Sequence, residues 1–98
     1  MHVVIVGVGK IGSIICRELV DTHDVVVIEQ NQDVLDAVIN STDVSGIVGS
    51  GVEYDTLMSA GADQCDVFIA VTAHDEINMI ACIFPKRMGA KYTIARVR

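Results

Sequence analysis

The sequence predicts a doubly wound α/β fold of Rossmann type with a parallel sheet, and three observations predict it. Five apolar runs of strand length, rich in Val and Ile, are separated by segments of helical period. The runs are continuously apolar and do not alternate, as expected of parallel strands buried on both faces. The first run passes directly into "GVGKIG", where Gly7, Gly9 and Gly12 are spaced G-x-G-x-x-G at the start of a helical segment.

Taken in order, "HVVIVG" (2–7) is the first strand, and the glycine turn delivers the chain into a helix over 10–22. "DVVVIE" (24–29) is the second strand, followed by a helix over 31–40. "VSGIVG" (44–49) is the third, and a helix over 53–61 follows it, with Ser50 and Glu53 in the S-x-x-E arrangement of a capping box. "CDVFIAVT" (65–72) is the fourth, and Thr72 and Asp75 make a similar T-x-x-D start for a helix over 75–88. Pro85 in that helix has no N–H to offer Ala81, so a kink or an early end is expected. "YTIARV" (92–97) is the fifth strand. Right-handed crossovers wind such a β-α-β series into one doubly covered sheet.

Composition narrows the function classes. At 98 residues the chain is one small domain, without linker, repeat or low-complexity tract, and 51% hydrophobic content excludes disorder. No apolar run approaches the ~20 residues that span a bilayer, and no secretory leader pattern opens the chain, so a cytoplasmic location is expected. Cys16, Cys65 and Cys82 lack C-x-x-C spacing and are read as reduced thiols with no metal role. A formal charge of −6 speaks against a nucleic-acid surface. Five of the seven basic residues nevertheless fall in the last thirteen positions, as a helix C-terminus and a strand end would place them.

In a doubly wound sheet, ligands sit beyond the carboxyl ends of the strands where strand order reverses. Gly7 permits the tight turn there, Gly9 lets backbone approach a pyrophosphate, and Gly12 allows close packing of helix on sheet. The phosphates would meet the helix N-terminus. Glu29, at the end of the second strand and about 20 residues on, is placed to hold a ribose. The pattern points to an adenine nucleotide.

The distal half, "AGADQCDVFIAVTAHDEINMIACIFPKRMGAKYTIARVR", and with it the whole chain, closely resembles the N-terminal subdomain of RCK (regulator of potassium conductance) domains, in particular the TrkA-type subunits of Trk potassium-uptake systems. The resemblance rests on the A-G-A-D-x-x-D, I-A-V-T-x-x-D-E-x-N-M and I-A-R-V-R blocks. It implies a non-enzymatic regulatory domain that binds NAD(H) and associates with a membrane potassium-translocating subunit on its cytoplasmic side, as a homodimer or larger ring. ATP or ADP, as in Ktr-type regulators, is the alternative effector, and a dinucleotide-binding domain of a larger oxidoreductase is the alternative class. RCK domains also continue through a further helix and a sixth strand, so residues 1–98 are expected to be a fragment ending before that strand.

Carried over residue by residue, the resemblance assigns backbone amides of Val8, Gly9, Lys10 and Ile11 to the phosphates, with the Lys10 ammonium within reach. Ser50 caps the third helix while its backbone lines the adenine pocket. Thr72 and Ala73 follow the fourth strand and face the crevice. Arg96 interrupts an apolar strand, and its charge requires a partner, either a ligand phosphate or an acidic side chain. His74 lies near the crevice but has no second group of fixed geometry, so a catalytic role is rejected. In the fourth helix, Ile77, Ile80, Ala81, Phe84 and Met88 form one face at helical spacing, suited to covering the sheet. Met79, Cys82 and Ile83 are left over as a contact surface for a second subunit.

Overall fold

A computed structural model describes the whole chain, Met1–Arg98. Strands β1 (His2–Val6), β2 (Asp24–Glu29), β3 (Ser45–Val48), β4 (Val67–Ala70) and β5 (Tyr92–Ala95) alternate with helices α1 (Lys10–Leu19), α2 (Gln32–Ser41), α3 (Tyr54–Ser59) and α4 (Asp75–Met88). All four strand pairs are parallel, in the order β3-β2-β1-β4-β5. The chain winds outward from β1 to β3, then restarts beside β1 with β4, so the reversal lies between β1 and β4.

The strand periodicity of two divides the core into halves. Val3, Ile5, Val25 and Val27 face one side, where Cys16 of α1 and Leu35 and Val38 of α2 cover them. Val4, Val6, Ile28, Phe68 and Ala70 face the other, under Leu57 of α3 and Ala81 of α4. Strands with apolar side chains on both faces are what the uninterrupted Val/Ile runs require. Phe68 is fully buried, and truncation to Ala at such a position costs about 3–5 kcal/mol.

Register fixes the rim on which the site is built. Ile47, Ile28, Val6, Ala70 and Ala95 lie at one level across the sheet. One residue further on, the rim therefore presents Val48, Glu29, Gly7, Val71 and Arg96 in that spatial order.

Several expected boundaries shift. Helix α1 ends at Leu19, not 22, because the amides of Thr22 and His23 both turn back to the Leu19 carbonyl and close a turn into β2. Asn31 is not helical but caps α2, its side chain accepting from the amides of Asp33 and Val34 at 3.0 and 3.1 Å. The third helix starts at Tyr54, too late for Ser50 to cap it. The Ser50 hydroxyl instead accepts from the Val52 amide at 3.2 Å in a local turn, and Glu53 stands at the helix start without a side-chain cap bond. Helix α4 continues through Pro85 to Met88 and does not end early. The proline lies in the last turn with its ring buried, where a single lost bond is the cost, and Gly89 at φ 129° closes the helix.

The inward face of α4 also differs from the expected stripe. Asn78, Ala81 and Pro85 are buried, and Phe84 and Cys82 pack against the core, whereas Ile80 and Met88 are exposed. Spacing alone placed Ile80 inward because it gave no weight to a buried polar residue at 78.

Candidate functional site

The glycine turn leaves β1 as the last ladder bonds are made: the Gly7 amide donates to Ile28 O at 2.8 Å and the Val71 amide to Val6 O at 2.9 Å. Gly7 then adopts φ 90°, a left-handed conformation that side chains disfavour, and a Cβ there would stand 2.9 Å from the Thr72 nitrogen. Around Gly9 a Cβ would meet nothing within 4 Å, so the chain is open to an incoming group. At Gly12 a Cβ would collide with the Gly7 carbonyl, which is the close packing of α1 on the turn.

Beyond this turn lies a crevice of about 600 Å³. Gly7, Gly9, Lys10, Ile11, Glu29, Ser50, Thr72, Ala73 and Arg96 all line it. Val8 and Gly12 do not; both are buried beneath the turn. The crevice floor is apolar, from Val6, Ile28 and Val71, and the rim is polar. Such a shape suits a flat heterocycle with a charged tail.

Three features give the site its electrostatics. First, Gly9 stands at the cap position of α1 and offers no side-chain cap, and no group in the chain accepts from the amides of Lys10 and Ile11. A ten-residue helix thus points free N–H groups and its positive end at the crevice. Second, Lys10 and Arg96 take no part in the chain's two ion pairs, which are Lys91–Asp66 and Arg98–Asp75. The partner expected for Arg96 is therefore not an acidic side chain. Arg96 also lies one residue past β5, not inside it. Third, the Glu29 carboxylate accepts from the amides of Val8 and Asn31, each at 3.0 Å. This corrects the expected role of Val8, whose amide is engaged by Glu29 and does not face the crevice.

On the α4 side the expected T-x-x-D cap does not form. The Thr72 hydroxyl accepts from the His74 amide at 3.2 Å and donates to Asn78 Oδ1 at 2.7 Å, and His74 occupies the cap position without a side-chain bond. Asn78, overlooked at the sequence level, is wholly buried and bonded to both Thr72 and Arg96. The signal available was a buried-face amide in an otherwise apolar helix stripe. Gly51 was overlooked too. It lines the crevice, and a Cβ there would strike the Val6 side chain; its signal is the G-x-G that follows β3.

The cysteine thiols are all free. Burial raises the pKa of Cys16 and Cys82, and pushes that of Cys65 up to about 11. None lines the crevice, and no group of side chains suited to a metal ion is present.

Comparison with known proteins places this geometry in context. Residues 3–98 match the TrkA-N domain family. The "Trk system potassium uptake protein TrkA homolog" of Archaeoglobus fulgidus is 37% identical over 99% of this chain and 22% of its own length. The "Trk system potassium uptake protein TrkA" of Azorhizobium caulinodans is 41% identical over 100% and 22%. The TrkA homolog of Methanothermobacter thermautotrophicus is 36% identical over 99% and 45%. The chain thus spans less than half the length of these relatives. The crystal structure of the TrkA-N domain of the inner membrane protein ybaL from Escherichia coli superposes with a TM-score of 0.64 at 16% identity, covering 96% of this chain and 86% of that one, and shares the fold.

Proposed function

The chain belongs to the TrkA-N domain family, and from that premise we propose that it is the nucleotide-sensing domain of a Trk-type potassium-uptake system, binding NAD(H) to control transport. The observation that carries the proposal is the joint placement, around one crevice, of the free amides of α1, the Glu29 carboxylate and two cations without acidic partners. An extended ligand with a ribose at one end and a negatively charged middle satisfies all of them at once. The relatives' names supply the potassium-transport context. ATP or ADP would satisfy the same groups, since both present an adenosine ribose and a polyphosphate.

In this reading the domain does no chemistry. Binding works through its free energy: a ligand that favours one arrangement of the assembly shifts the partner's conformational equilibrium by its differential affinity for the two arrangements. The partner is a membrane potassium-translocating subunit, and the domain sits on the cytoplasmic side through it. No helix here is long and apolar enough to cross a membrane.

The test is potassium uptake by vesicles carrying the translocating subunit and the full-length regulator. Uptake should change on adding NADH or NAD, and the change should disappear with Gly9→Ala. An uptake rate indifferent to NAD, NADH, ATP and ADP contradicts the proposal. Measurable hydride transfer by the regulator alone would favour an oxidoreductase instead.

A further inference from the structure

The parallel ladder between β4 and β5 makes its last backbone bond from the Arg96 amide to Ala70 O, at 3.0 Å. Past that point neither strand continues the ladder, β4 ending at Ala70 and β5 at Ala95. Three backbone groups at these strand ends, the N–H and C=O of Thr72 and the C=O of Arg96, are left without ladder partners in a half-buried setting.

Asn78 supplies all three. Its Oδ1 accepts from the Thr72 amide at 2.8 Å and from the Thr72 hydroxyl at 2.7 Å. Its Nδ2 donates to Thr72 O at 3.1 Å and to Arg96 O at 3.0 Å. A carboxamide has two acceptor sites and two donor hydrogens, and here every one is used. The orientation is unambiguous, because a flipped amide would set donor against donor and acceptor against acceptor. Asn78 is also the one fully buried polar side chain in a helix face otherwise made by Ala81 and Pro85. Asparagine is a weak helix former at an interior position, so its presence there needs a reason beyond helix formation.

We infer that Asn78 is a positioning residue of the nucleotide site: its side-chain amide acts as an extra rung between β4 and β5, fixing the backbone from which Thr72 and Arg96 face the crevice. The inference rests on the nucleotide reading given above. Through this rung the Arg96 guanidinium is held at the rim without an acidic partner, ready for a ligand anion. No other amino acid supplies the same set. Asp keeps the shape and the acceptor but sets an oxygen against two carbonyls; Gln is a methylene too long; Leu leaves all three backbone groups unpaired.

A double-mutant cycle tests it, with NADH and ADP titrated into wild type, Asn78→Asp, Arg96→Ala and the double variant. Asn78→Asp should weaken binding by about tenfold or more in the wild-type background and by several-fold less once Arg96 is gone, the remaining loss passing through Thr72. An equal loss in both backgrounds, or no loss in a folded Asn78→Asp protein, overturns the inference; a purely structural role predicts the equal loss. Should Asn78→Asp fail to fold, hydrogen exchange on the wild type decides. The Thr72 amide, held by Asn78 Oδ1, should already be protected without ligand and more so with NADH, and fast exchange in the free protein overturns the inference. A wild type that binds neither nucleotide but protects the Thr72 amide would refute the nucleotide reading while leaving the rung intact.

Discussion

The carboxylate of Glu29, at the end of β2, accepts a hydrogen bond from the backbone N–H of Val8 at 3.0 Å. The residue expected to hold the ribose therefore also ties the glycine turn to the neighbouring strand. Its second oxygen accepts from Asn31, the residue that caps α2. A ribose bound there as proposed would meet a carboxylate already fixed in place, with little rotamer freedom left to lose on binding.

Replacing Glu29 by Ala should weaken NADH or ATP binding by ten- to a hundred-fold, from the loss of a charge-assisted bond of about 1.5–3 kcal/mol. NADP should bind poorly to the wild type, because its 2′-phosphate removes a donor and brings negative charge to the carboxylate. Calorimetry with NAD and NADP side by side checks this, and equal affinities would remove Glu29 from the ribose.

Gly9 and Gly12 separate binding from folding. Gly9→Ala adds a methyl where the chain leaves open space, so the protein should keep its circular-dichroism spectrum and melting temperature while losing nucleotide binding. Gly12→Ala drives a Cβ into the Gly7 carbonyl, and should destabilise the fold itself. A Gly9→Ala protein with unchanged affinity would place the phosphates elsewhere.

Most of this architecture was legible in the sequence because it rests on strong local signals. The Val/Ile runs were legible as strands, and those of β1, β2 and β4 are buried as expected, whereas β3 and β5, at the sheet edges, stay half-exposed because only one neighbour covers each. The glycine spacing located the turn at the sheet's reversal point. What escaped depended on tertiary partners. Ser50 and Thr72 carry side chains able to cap a helix, but the helices begin too far along for either to do so. Val8 has an amide like any other, and only the folded position of Glu29 directs it inward. Asn78 looks like a helix residue of no distinction until the unpaired ends of β4 and β5 are seen beside it. Ile80 was expected inward on spacing, yet the buried amide at 78 rotates the inward face towards Ala81 and Pro85.

At the opposite end of the sheet, Asp66 accepts from the His2 amide at 2.8 Å and pairs with Lys91 at 3.2 Å. The backbone bond from His2 first, and Lys91 second, hold its carboxyl below the ordinary value of 3.8. A depressed carboxylate contributes stability that is fully present above that ordinary value and is lost as pH falls through the lower folded-state value. Asp66→Asn should therefore lower the urea midpoint at neutral pH and flatten its decline on acidification. An unaltered acid profile in the variant would show that Asp66 contributes none of this dependence.

Helix α4 leaves Met79, Ile80 and Ile83 at 50%, 52% and 57% exposure, with no part of the chain covering them. A contiguous apolar patch of this kind favours association, and we expect the protein to dimerise through it. Replacing Met79 and Ile83 together by Glu should convert the dimer to monomer in analytical ultracentrifugation while the monomer keeps the native circular-dichroism spectrum. A dimer that persists with both charges in place has its interface on another surface.

The most direct measurement of the central claim is a calorimetric titration of the wild-type protein with NADH, NAD, ATP and ADP, repeated with each in the presence of another. One site per chain is expected, saturable by at least one of the four, with mutual competition among those that bind and no heat from the Gly9→Ala variant. Absence of binding by all four, or binding that Gly9→Ala leaves intact, would contradict it.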